Sequence, residues 1–331
     1  MIPIDWSRVA WLIHASRALD ELEETRLVPE RKIFYQFSAR GHDLAQIILG
    51  TQLTNRNDAI CGYYRSRPVL LTLGVSLADA LGSSMARAGG YSDGRDIGAV
   101  FNYPNQTGPS ALPMCGGVGA QYTPTAGWAQ ALEYRRTVLN DHSCADAIAV
   151  ALGGDASVAT NGFWAALNMA AVLELPMLFF IEDNGFGISV PSSLQVPGGD
   201  CAANFKSYKN LHVVSGDGTD PAQATDLIVS TVRHVRERRG PALLRLTVPR
   251  LSGHSFQDTQ VYKAEDTIAA ERARDPLPKL HALLVPAKMS EAQWQESATN
   301  AKAAVEVARS EAENRPVANL ARTPKHVFFE D

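Results

Sequence analysis

Residues 145–189 read ADAIAVALGGDASVATNGFWAALNMAAVLELPMLFFIEDNGFGIS, and this segment decides the fold. Ala145–Leu152 is a short apolar run with the length of a buried strand, ended by Gly153, Gly154 and Asp155. Ser157–Asn161 then opens a helical stretch that runs to Glu174, and Pro176 closes the connection. Met177–Ile181 is a second apolar strand. Strand, helix and strand in so short a span make a βαβ unit, with parallel strands and a right-handed crossover.

Outward from this unit the same alternation continues. Further strands are expected at Leu211–Val214 and Ala242–Val248, with a helix over Pro221–Arg238 between them. Upstream, Trp6, Val9, Ala10, Ile13, Leu19 and Leu22 recur at helical spacing, so an amphipathic helix is expected over 6–28. Other helices are expected at 41–49, 77–87 and 126–140. The pattern predicts an α/β protein with a doubly wound parallel sheet flanked by helices. Residues 1–285 would form the main domain, and 286–331 a C-terminal helix and extended arm. Residues 89–125 are rich in Gly, Pro, Ser, Thr and Asn without periodicity, which suits a functional loop.

Composition narrows the function. With 31 basic against 35 acidic residues in a chain of 331, no cationic field is available for a nucleic-acid backbone. The four cysteines (Cys61, Cys115, Cys144, Cys201) form no C-x-x-C pair, which argues against a disulfide framework or zinc knuckle. No secretory signal and no apolar run of bilayer length is visible, so a cytoplasmic protein with no membrane association is expected. A Walker A loop, H-E-x-x-H and G-x-S-x-G are all absent, and Gly117-Val-Gly119 lacks the third glycine of a dinucleotide fingerprint.

The βαβ unit supplies the positive chemistry. Asp155 stands just past one strand and Asn184 just past the next. Parallel strand ends emerge on one edge, where open α/β sheets bind ligands. A carboxylate, an amide oxygen and a main-chain carbonyl form a hard oxygen set suited to Mg²⁺ or Ca²⁺. Asp and Asn also favour strand-to-loop turns for local hydrogen-bonding reasons, so the spacing alone leaves both readings open.

The segment Gly154-Asp155-Ala156 through Asp183-Asn184 resembles the thiamine-diphosphate motif, which opens on Gly-Asp-Gly and closes on Asn-Asn. Asn168-Met-Ala-Ala, Pro176, Asn184-Gly-Phe-Gly-Ile-Ser189 and Pro191 resemble the alpha subunit of the pyruvate and branched-chain 2-oxoacid dehydrogenases. Three further stretches agree: Gly41-His-Asp-Leu-Ala-Gln46, Tyr64-Arg65 ahead of Gly74-Val-Ser76, and Arg250-Leu-Ser-Gly-His-Ser-Phe-Gln-Asp258.

The resemblance implies the diphosphate-binding half of a thiamine-diphosphate fold, with thiamine diphosphate and Mg²⁺ as cofactors. Asp155, Asn184 and the Phe186 carbonyl would ligate the metal; Gly154, Ala156 and Ser157 would line the cofactor. Arg65 and His254 would hold the diphosphate beside Tyr64, with His254 also the expected catalytic residue. The Val118 carbonyl would meet the aminopyrimidine, and Phe34 would lie near the substrate. The activity implied is oxidative decarboxylation of a 2-oxo acid with acyl transfer to a lipoyl group. The implied partners are a beta subunit or fused beta domain in an α₂β₂ assembly and a lipoyl-bearing acyltransferase. An acetoin-type or non-oxidative thiamine enzyme would share these motifs. Ala156 and Asp183, which depart from Gly and Asn in the motif, leave room for a non-catalytic partner subunit.

Overall fold

The computed structural model describes residues 3–95 and 101–325. In chain order, the strands are β1 (Ala59–Cys61), β2 (Ser110–Ala111), β3 (Ala149–Gly154), β4 (Met177–Asp183), β5 (Phe186–Gly187), β6 (Val190–Pro191), β7 (His212–Asp217) and β8 (Ala242–Thr247). The α-helices are α1 (Trp6–Leu22), α2 (Asp43–Gln52), α3 (Arg67–Leu73), α4 (Leu77–Ser84), α5 (Tyr122–Thr137), α6 (Asn161–Val172), α7 (Cys201–Phe205), α8 (Pro221–Arg236), α9 (Glu265–Ala273), α10 (Pro276–Leu284) and α11 (Glu291–Asn314). Six strands form one parallel sheet in the order β2-β1-β3-β4-β8-β7, and β5 and β6 form a separate antiparallel hairpin.

Both faces of the sheet are covered, which is why β3 and β4 are apolar until their carboxyl ends. Val150, Leu152, Leu178, Phe180, Ala242, Leu244 and Leu246 point to one face, into a core shared with α1–α4, α8, α10 and α11. Ala149, Ala151, Met177, Phe179, Ile181 and Leu243 point to the other, against α5, α6 and α7. The period-two alternation therefore divides one apolar sequence between two cores. The α11 helix starts at a capping box, Ser290 with Gln293, and its Trp294, Val305 and Ala312 enter the first core.

The expected βαβ unit is present as β3-α6-β4, with a shifted start. Asp141 caps a short turn over His142–Cys144, and Arg236 and Arg238 take the carbonyls of Asp146 and Ala147 at 2.7 and 2.8 Å. The strand ladder consequently begins at Ala149 rather than Ala145. At the other end, Thr160 caps α6, so Asp155–Ala159 forms a tight 3₁₀ turn outside the helix. The expected strands near 211 and 242 appear as β7 and β8 with α8 between them. The short β1 and β2 and the helices α3, α7, α9 and α10 carry too little periodicity to stand out in the sequence.

The long irregular stretch is anchored at intervals. Tyr103 exchanges main-chain hydrogen bonds with Ala111, and Ala88 donates to the Pro316 carbonyl of the C-terminal arm. Val100, within the loop expected to be functional, and residues 326–331 of the arm lie outside the described residues.

Phe180 is fully buried in the centre of the sheet. Its replacement by alanine is expected to cost about 3–5 kcal/mol of stability by transfer and cavity terms. Denaturant unfolding of the Phe180→Ala chain measures this, and a loss near zero would contradict the packing described.

Candidate functional site

A pocket of ≈ 210 Å³ opens at the carboxyl edge of the sheet, where the chain leaves β1, β3 and β4. Its walls come from Tyr63–Arg65 after β1, Gly154–Ser157 after β3, Asn184 after β4, the β5–β6 hairpin, the Cys115–Gly119 loop, and Arg250 with His254. From β1 the chain goes on to β2 on one side, and from β3 to β4 on the other, so the loops after these adjacent strands diverge and leave a crevice.

Of the residues singled out by sequence, Tyr64, Arg65, Val118, Gly154, Asp155, Ala156, Ser157, Asn184, Phe186 and His254 all line this pocket. Phe34 does not. It lies 69% exposed on the segment before α2, with no part in the pocket wall.

Asp155 is almost fully buried, and its carboxylate accepts hydrogen bonds from the Ser192 hydroxyl and from main-chain N–H groups, including that of Asn184. Burial, and then the nearby Asp183 carboxylate, push Asp155 up to about 6. The Asn184 amide is oriented at both ends. Its Nδ2 donates to His42 Nε2 at 3.2 Å and its Oδ1 accepts the Phe186 N–H at 3.1 Å. His42 is wholly buried, and burial followed by the charge of Arg65 holds it well below its ordinary value. A neutral ring whose Nε2 accepts leaves the amide oxygen facing the loop.

Ser157 serves the frame instead. Its hydroxyl donates to the Gly154 carbonyl at 2.6 Å and meets the Tyr122 hydroxyl at 2.5 Å. Beneath these groups, Gln46 bridges the Glu182 carboxyl at 2.8 Å and the Arg65 carbonyl at 3.1 Å. Burial pushes Glu182 up to about 8, which favours its protonated form.

The opposite wall is cationic. Arg65 donates to the carbonyls of Ser38 and, at 3.1 Å, His254, which locks its guanidinium beside the pocket. Tyr64 and His254 meet edge to face with ring centroids 5.4 Å apart, and Phe37 packs on both. His254 is pushed down to about 4 by burial and by the charges of Arg65 and Arg250. The His254 main-chain N–H donates to Asp258 Oδ2 at 2.6 Å.

Arg250 was visible in sequence only as part of a motif, and the fold makes it a second pocket cation. It is 2% exposed, donates to the Ile188 carbonyl at 2.9 Å and to the Tyr262 hydroxyl, and keeps its Nε unpartnered. That grip on Ile188 explains the hairpin's backbone, where Ile188 is held at φ 56°, a conformation costly for a β-branched residue.

Two glycines are required here. A Cβ on Gly119 (φ 83°) would fall 2.1 Å from Thr160 Oγ1, and one on Gly187 would fall 2.6 Å from the Ala156 methyl. The methyl that departs from the motif thus faces the hairpin glycine, which has room for it.

These features fit a phosphate-bearing ligand with a divalent cation. A buried carboxylate, a fixed amide oxygen and a hairpin carbonyl supply hard oxygens, and two guanidinium groups line the same pocket. No cluster of three or more His, Cys, Asp or Glu side chains suited to a metal occurs among the described residues, so such a cation would depend on ligand oxygens to complete its shell.

A family model described as "Dehydrogenase E1 component" matches residues 16–321. The chain is 28% identical over 291 residues to the 2-oxoisovalerate dehydrogenase subunit alpha of Bacillus subtilis (strain 168), covering 87% of this chain and 84% of that one. It is 27% identical over 283 residues to the testis-specific, mitochondrial pyruvate dehydrogenase E1 component subunit alpha of Homo sapiens, covering 84% and 68%. It is 26% identical over 243 residues to the pyruvate dehydrogenase E1 component subunit alpha of Rhizobium meliloti (strain 1021), covering 72% and 66%.

His254 gives a direct test. Because its folded value lies below the ordinary one, its contribution to stability is whole above about pH 6.5 and is lost as pH falls through 4. The imidazole resonance of His254, assigned by loss in a His254→Gln variant, is expected to titrate near pH 4. A midpoint at 6 or above would overturn the buried, cation-flanked geometry.

Proposed function

The chain belongs to the dehydrogenase E1 component family, and from that premise we propose that its pocket binds thiamine diphosphate through Mg²⁺. The chain is the alpha subunit of a 2-oxoacid dehydrogenase of branched-chain or pyruvate type. It carries out thiamine-diphosphate-dependent oxidative decarboxylation of a 2-oxo acid, and the acyl group goes to a lipoyl group on an acyltransferase. The observation that carries this reading is the pairing, in one crevice, of the Asp155–Asn184 oxygen set with the Arg65–Arg250 cations.

Asp155, the Asn184 amide oxygen and the Phe186 carbonyl hold Mg²⁺, whose charge relieves the burial that raises the Asp155 carboxyl. Arg65, already fixed by two carbonyls, faces the diphosphate with little rotamer entropy left to lose. Thiamine diphosphate, when bound, supplies the electron sink for loss of CO₂. The His254 ring, held neutral by burial and by the neighbouring guanidinium charges, would offer one hydrogen-bond donor and one acceptor to the cofactor at the pocket wall. Val118, 58% exposed beside the pocket, offers its carbonyl to the aminopyrimidine.

The crevice is open on the side away from the sheet, and the sulfur of Cys115 and the side chains of Val118 and Ile188 stand exposed there. A beta subunit or fused beta domain covers that side in an α₂β₂ assembly. No helix among the described residues is long and apolar enough to cross a membrane.

Co-expression with a beta partner, followed by calorimetry with thiamine diphosphate and Mg²⁺ and a dye-linked 2-oxoacid assay, tests the reading. Binding and turnover are expected; a folded assembly that binds no cofactor would sink it, and binding without turnover would favour a non-catalytic partner. Asp155→Ala is expected to weaken metal-dependent cofactor binding by roughly a hundredfold or more while the fold persists, since a buried carboxylate ligand of the metal is lost. Unchanged affinity in that variant would remove the metal assignment.

A further inference from the structure

The motif position that carries Asn in the family resemblance carries Asp183 here, immediately before Asn184. Asp183 does not line the pocket itself, but its carboxylate adds a second negative charge close enough to Asp155 to raise that residue's proton affinity. The structure shows how that charge is answered. Asp183 is the last residue of β4, and the register sets Arg245 of β8 opposite Ile181, on the same face and one diagonal step away. Arg245 Nε and Nη2 each lie 2.7 Å from Asp183 Oδ2. The other oxygen, Oδ1, accepts the Gly185 N–H at 3.0 Å. The remaining Arg245 nitrogen, Nη1, reaches Asp200 at 3.3 Å and the Ser215 hydroxyl at 3.2 Å.

Both members are largely buried, and each oxygen of Asp183 has a partner. The guanidinium therefore does two things. It offsets part of the Asp183 charge, and it fixes the carboxylate that holds the Gly185 N–H, hence the turn carrying Asn184 and Phe186.

We propose that Arg245 is a positioning residue for the diphosphate and metal loop, and that it makes Asp183 tolerable in the place of a neutral amide. This rests on the reading of the pocket as a thiamine-diphosphate site. Arg245 is not among the residues lining the pocket, so its effect passes through Asp183. Without it, the Asp183 carboxylate is left unpaired beside Asp155. Its charge then repels the diphosphate, and the turn loses its anchor.

The experiment measures the affinity of thiamine diphosphate at saturating Mg²⁺ by calorimetry on the assembly with the beta partner, for wild type, Arg245→Gln, Asp183→Asn and the double variant. Arg245→Gln is expected to weaken binding by roughly tenfold or more, as truncating one member of a buried charge pair does. The double variant is expected to bind within about threefold of Asp183→Asn alone, since the arginine has no charge left to answer. Equal affinity of Arg245→Gln and wild type overturns the proposal. So does a double variant as weak as Arg245→Gln, which would make the arginine's role one of folding alone. If Arg245→Gln fails to fold, the double variant decides: it is expected to fold and bind, and its failure overturns the proposal. Absence of binding by the wild-type assembly would be a failure of the cofactor reading instead.

Discussion

The central strands of a parallel sheet buried on both faces admit few polar side chains before their carboxyl ends. In this chain that constraint places the chemistry. Along β3 and β4 each position faces one of two apolar cores until Gly154 and Glu182, and the first charged groups then appear together at the carboxyl edge. Asp155, Glu182, Asp183 and Asn184 are neighbours because two ladders terminate in register, Gly154 beside Glu182. The cations that answer them come from elements far away in sequence, brought to the edge by β1 and β8 and the loops that follow.

Desolvation then sets the character of each group. Charged groups packed under an apolar sheet must be paired, neutral or facing a ligand. Glu182 and His42 favour their neutral forms, and Asp183 is paired with Arg245. Asp155 is the carboxylate for which burial and a like charge together raise the proton affinity at the pocket wall, which gives a cation purchase there. The frame around it spends its own polar groups on rigidity: Ser157 and Tyr122 bond one another, and Arg250 fixes the hairpin by holding Ile188.

The family resemblance and the residue-level reading meet at the two departures from the motif. A methyl at Ala156 and a charge at Asp183 look, as letters, like damage to a cofactor site. In three dimensions the methyl rests against Gly187 and the charge is held by a guanidinium. Neither alteration is accommodated by a neighbour in sequence, which is why neither could be judged from the segment that contains it.

What the sequence determined was the βαβ unit, since apolar runs of strand length around a helical stretch have no other compact solution, and the approximate extents of α1, α8 and α11, whose periodicity is long enough to register. It also brought forward the ten residues that prove to line one pocket, because motif spacing reflects strand ends. It misplaced the start of β3, where side chains of Arg236 and Arg238 capture carbonyls that the ladder would otherwise use. Phe34, which the resemblance sets near a substrate, stands exposed and outside the wall of this pocket. The sequence was silent on β1 and β2, too short to show a pattern, and on the tasks of His42, Arg250 and Arg245. Those tasks exist only through contacts between residues distant along the chain, and such contacts were decided by the tertiary structure, through the stacking order of strands that local preference cannot specify.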